Sequence, residues 1–139
     1  MSVLSDLYVS TPDEALRYDE TQSAPENERA QLKRLTTLEY SMLWAILEGK
    51  PWELSSMKAF EMIMIEDDGE RLIYRFPETL VELAGGLDDA AIAAAAEPWA
   101  NTEEMRCDPE DTKFIIGELR RVARVAKETN RNLYLWISV

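Results

Sequence analysis

The sequence predicts an α+β fold in one domain spanning 1–139. The expected fold is roughly a four-stranded mixed or antiparallel sheet with about five helices packed against it and the C-terminal strand central. Three observations predict it. Short apolar or alternating runs at 3–9, 62–65, 72–76 and 133–139 have the length of strands. Apolar residues recur at helical spacing over 28–48 and 109–129. The two patterns are interspersed along a chain of 139 residues with no repeat, and 46% hydrophobic residues, including four Trp, five Tyr and three Phe, suffice for a core.

Residues 3–9 mix β-branched, aromatic and polar side chains as a strand does, and Thr11-Pro12-Asp13-Glu14 reads as a helix start with Thr11 as N-cap. That helix is short, because the polar stretch 21–27 contains Pro25 and reads as a flexible surface loop. Leu35, Leu38, Met42 and Ile46 then mark a long amphipathic helix over 28–48, closed by Gly49. Met62-Ile63-Met64-Ile65, the turn Asp67-Asp68-Gly69 and the alternating Leu72, Tyr74 and Phe76 form a hairpin whose first strand is expected to be central. Pro77 starts a helix that Gly85-Gly86 ends, and Asp88 caps an alanine-rich helix. Asp108-Pro109 starts a helix with Ile115, Leu119, Val122 and Ala126 buried, reaching about Thr129 with Asn130 as C-cap. The unbroken apolar run 133–137 suits a strand covered on both faces.

Charge and composition exclude more than they assign. A net charge of −12 repels phosphate backbones, so no nucleic-acid partner is expected, while a basic protein partner would be attracted. The absence of histidine removes Ser-His-Asp and Cys-His catalysis and His-containing zinc sites. With one cysteine, Cys107, no internal disulfide can form, and the start of the chain lacks the pattern of a secretory leader. No run approaches the roughly 18 apolar residues of a membrane span. A cytoplasmic location without membrane association is therefore expected. No cofactor is expected either, since the phosphate-cradling glycine motifs are missing.

Glu66-Asp67-Asp68-Gly69-Glu70 is dense in carboxylates but lacks the alternating ligand spacing of a calcium loop, so it reads as a turn and no metal site is expected. The acidic first turn after Asp108 works against activation of Cys107. Arg120, Arg124, Lys127 and Arg131 form a basic stripe that either grips an anion or complements a helix C-terminus. The local sequence best suited to a pocket is Pro98-Trp99-Ala100-Asn101-Thr102-Glu103-Glu104. Trp99 would supply an apolar wall there, and Asn101, Thr102, Glu103 and Glu104 polar groups. Trp44 and Trp136 read as core residues, and Trp52 as the tryptophan nearest the surface. No catalytic residue stands out among 27 carboxylates, where pairs at any separation occur by chance.

In size, acidity and lack of catalytic groups the chain resembles small acidic bacterial proteins, some of which are immunity proteins that bind and neutralise a toxin. That resemblance implies a non-enzymatic protein-binding factor, immunity-like or regulatory. The acid-rich residues 1–29, with Asp13, Asp19 and Glu20, are its candidate docking face for a basic partner. The alternative is a small ligand-binding domain or carboxylate enzyme with a pocket at Trp99, using Glu103 and Glu104.

Overall fold

The computed structural model describes residues 3–139 and is α+β: five antiparallel strands and six α-helices in a single compact domain. The strands are β1 (Leu4–Ser10), β2 (Arg29–Lys33), β3 (Glu61–Glu66), β4 (Arg71–Arg75) and β5 (Asn132–Ser138). The helices are α1 (Tyr18–Thr21), α2 (Thr37–Glu48), α3 (Leu54–Lys58), α4 (Glu78–Gly85), α5 (Asp89–Ala100) and α6 (Pro109–Glu128). The sheet order is β2-β1-β5-β4-β3, which puts β5 in the middle as expected. The reading of the chain start as leaderless involves Met1 and Ser2, which lie outside the described residues.

Alternation in β5 divides its side chains between two cores. Leu133, Leu135 and Ile137 enter the main core beneath the helices, while Tyr134 and Trp136 enter a smaller aromatic one on the opposite face. The second face is covered by residues 15–24, a 3-10 turn (Ala15–Arg17) followed by α1. There Tyr18 stacks on Tyr8 with ring centroids 4.0 Å apart.

Three elements depart from expectation. The first part of the supposed helix over 28–48 is strand β2, in which Ala30 and Leu32 are buried while Gln31 and Lys33 are exposed. This two-residue alternation outweighs the few apolar residues that also fit a helical stripe. Helix α2 begins only at the Thr36 N-cap, where Glu39 completes a capping box by accepting from the Thr36 N–H. Secondly, β3 is not central but the outer strand of the sheet, since no further strand follows it and most of its side chains are exposed. Its apolar run resembled that of a buried strand because composition does not record position in the sheet. Thirdly, Thr11 caps no helix through its side chain. Its carbonyl accepts from the Glu14 and Ala15 N–H groups, and the Glu14 carboxylate turns to Arg17 at 2.7 Å. The loop 21–27 is partly regular, with a 3-10 turn at Glu26–Glu28.

Other expected punctuation holds. Gly49 adopts a left-handed conformation at the end of α2, and Asp88 and Asp108 accept backbone N–H bonds at the starts of α5 and α6. The C-cap of α6 is Thr129, one residue before the expected Asn130, which follows it in a left-handed conformation. Among the described residues, no helix is long and apolar enough to cross a membrane.

Candidate functional site

The residues named around Trp99 do not converge on a cavity. Helix α5 continues through Pro98, and Trp99 is fully buried, its indole N–H donating to the Glu39 carbonyl at 3.0 Å. The expected apolar wall of a pocket is therefore part of the core, tying α5 to α2. Thr102 turns its hydroxyl back to the Trp99 carbonyl at 2.7 Å. Asn101, Glu103 and Glu104 are exposed, and Glu103 lies 3.5 Å from Arg106.

The acid-rich N-terminal region divides in the same way. Asp13 and Glu20 face solvent, but the Asp19 carboxylate accepts from Trp136 Nε1 at 3.0 Å and from the Arg71 guanidinium at 2.6 Å. It braces the segment 15–24 against the sheet and is not a free surface charge. A second acid, Asp6, is buried on the same face and accepts from the Tyr18 hydroxyl at 2.7 Å. Burial pushes its pKa above the usual carboxylate range, against the lowering effect of the Tyr18 bond and of Arg29. Sequence reasoning missed Asp6 because it sits at a polar position of an alternating strand, which ordinarily faces water.

Several clefts indent the surface of the described residues. One of about 360 Å³ lies at the end of the sheet between the start of α4 and the end of α6, with Arg75, Glu78, Glu82 and Lys127 on its walls. Its charges are partly closed on themselves, with Arg75 on Glu61 at 3.1 Å and Arg131 gripping both oxygens of Glu28 at 3.0 and 2.7 Å. A second, of about 340 Å³, lies beside Tyr8 and Tyr18, and a third, of about 400 Å³, lies between the end of α2 and α3. Asp6 lines none of them; in the third the exposed Ser55 hydroxyl donates to the Glu53 carboxylate at 3.5 Å. Among the described residues no three His, Cys, Asp or Glu side chains are grouped to hold a metal ion. Burial, Asp111 and Asp108 together push the Cys107 thiol up, away from the reactive thiolate.

Comparison with protein-family models, curated proteins and solved structures gave no match.

The surface itself is more distinctive. Two arginines of the basic stripe on α6 are bonded within the chain: Arg120 donates to the exposed Asp89, and Arg124, itself exposed, donates to the Gly85 and Leu87 carbonyls at the end of α4, while Lys127 is exposed. Arg121 reaches the Glu26 and Arg29 carbonyls and pairs with Glu118. Elsewhere Arg17, Arg71, Arg75, Arg106 and Arg131 are all ion-paired. Many carboxylates face water with no ion-pair partner among the described residues, including Asp13, Glu20, Glu66, Asp68, Glu70 and Glu104.

The two edges of the sheet also differ. At β2 an arginine from α6 sits on a strand carbonyl and Lys33 is exposed, features that blunt an edge. At β3 Met62 and Ile65 are 50% and 57% exposed. Cross-strand register sets Met62 opposite Tyr74 and Ile65 opposite Leu72, with a bulge between Met62 and Met64. Met62 and Ile65 thus share the helix-side face of the sheet, where Tyr74 and Leu72 pack on the main core.

Proposed function

We propose that this chain is a non-enzymatic protein-binding factor, immunity-like or regulatory, that captures a basic protein. The observation that carries this reading is the asymmetry of its charges. Most arginines are bonded to carboxylates or carbonyls of the chain itself, whereas a surplus of carboxylates faces water, and with 27 acidic against 15 basic residues the outward field is negative. Such a field speeds encounters with a positively charged surface and adds little to folding stability. Working in a reducing, cytoplasmic setting fits a single thiol whose pKa is raised.

The test is capture from an extract of the native host on the immobilised chain, followed by kinetics with the purified partner at several salt concentrations. The expected partner carries net positive charge, and its association rate falls steeply as salt rises. An acidic partner, or a rate indifferent to salt, overturns the proposal.

A further inference from the structure

We propose that the open edge of β3 is the docking surface and that the partner adds an extended, basic segment to it as a sixth strand. This rests on the basic-partner reading above and specifies where and how that partner binds.

An outer strand presents a row of backbone N–H and C=O groups with nothing bonded to them, and an extended segment satisfies them in register. Here the edge also carries apolar purchase, because Met62 and Ile65 are half exposed on one face. Unpaired carboxylates stand at one end of that purchase, while Glu61 at the other end is held by Arg75. Glu66, Asp68 and Glu70 at the hairpin turn have no ion-pair partner among the described residues, so lysine or arginine in the incoming segment gains charge pairs there. The opposite edge, β2, is blunted by Arg121 and Lys33, which leaves β3 as the side open to extension.

A second copy of the chain is a poor occupant. Antiparallel self-pairing of Glu61–Glu66 about its centre sets Glu61 against Glu66 at both ends, and parallel in-register pairing sets each glutamate against itself. Like charges directly opposite are destabilising in either arrangement. The bulge between Met62 and Met64 adds local twist, which hinders two rigid sheets from meeting along their edges, while a flexible segment can follow it. The occupant is therefore a short stretch of alternating apolar residues with lysine or arginine flanks.

The probe is a synthetic octapeptide of alternating lysine and valine, with a glutamate-valine peptide as control, added to the ¹⁵N-labelled full chain. The expected result is slowed exchange confined to the outward-pointing amides of β3, alternating along the strand except at the bulge, with the lysine peptide only, a backbone pattern that side-chain docking does not produce. The double substitution Ile65→Lys and Glu66→Lys, both exposed positions, should weaken peptide binding and partner capture about tenfold or more, with the remaining amide spectrum unchanged. Slowed exchange at β2, none at either edge, or the β3 pattern arising without peptide in a dimer overturns the proposal. Partner capture that stays steep in salt but ignores the double substitution overturns the β3 assignment alone. Capture indifferent to salt removes the basic-partner reading and this inference with it.

Discussion

The indole of Trp136 donates its hydrogen bond to the carboxylate of Asp19, 117 positions earlier, at 3.0 Å. Arg71 takes the other oxygen, so one carboxylate joins α1 to two neighbouring strands, β4 and β5. Replacing Asp19 with Ala leaves the indole N–H without its acceptor and the Arg71 guanidinium with Asp67, at 3.0 Å, as its remaining carboxylate. A loss of about 2 kcal/mol in urea unfolding is expected, against less than about 0.5 kcal/mol for Asp13→Asn, which is exposed. Equal effects of the two would show that Asp19 is no brace.

Asp6 and Glu28 should impose opposite pH dependences. Burial raises the Asp6 pKa in the folded state, so its charged form opposes folding at neutral pH, and that cost disappears as pH falls through the folded-state value towards the ordinary carboxylate range. Asp6→Asn can still accept from Tyr18, and its stability advantage over the natural chain should shrink as the medium is acidified. Thermal melts of both proteins from pH 7 to pH 4 check this, and a constant difference would contradict it.

The two-pronged hydrogen bond from Arg131, against a smaller opposing effect of burial, lowers the pKa of Glu28. Its stabilisation is fully present above the unfolded carboxylate value and is lost as pH falls through the lower, folded-state value. Glu28→Gln should cost about 1 kcal/mol at pH 7, a charge-assisted pair being partly replaced by a neutral bond. The difference from the natural chain should vanish in strong acid, and a deficit that persists there would show packing to be the cause.

Trp99→Phe separates a core role from a binding role. It removes the indole N–H bond to the Glu39 carbonyl and reduces the volume of a fully buried side chain, so a loss of about 1–3 kcal/mol is expected in denaturant titration. Partner capture by the folded fraction should be unchanged, and a selective loss of capture would return Trp99 to a functional surface.

Removal of residues 133–139 takes away the strand that bonds to both β1 and β4. The shortened chain should show no cooperative melting and no native circular dichroism. A folded remainder would mean that the two halves of the sheet stand independently.

The α+β class, the central position of β5, the hairpin turn and the starts of α5 and α6 were legible because each depends on local chemistry: alternation, an Asp-Gly turn, an Asp N-cap. Strand β2 was misread because the helical stripe that starts at Leu35 was carried back over residues 28–33, where Ala30 and Leu32 alternate with exposed residues. The Thr36–Glu39 capping box was available as a signal that helix begins only there. The outer position of β3 and the inward turn of Asp19 were not legible, because both depend on partners far along the chain. Trp99 drew notice through its polar neighbours, yet helix α5 points it away from them.

The pairing of Leu4 with Ser138 at the middle of the sheet has a kinetic consequence. The β3–β4 hairpin and α6 can form from nearby residues, but β1 meets β5 only after nearly the whole described chain has been closed into a loop. That entropy is lost before the central ladder repays it, so folding should be slow for a chain this size and limited by the docking of β1. Until that step, Leu133, Leu135 and Ile137 lack one of their two neighbouring strands, and the half-built sheet presents an additional open edge to any other chain it meets.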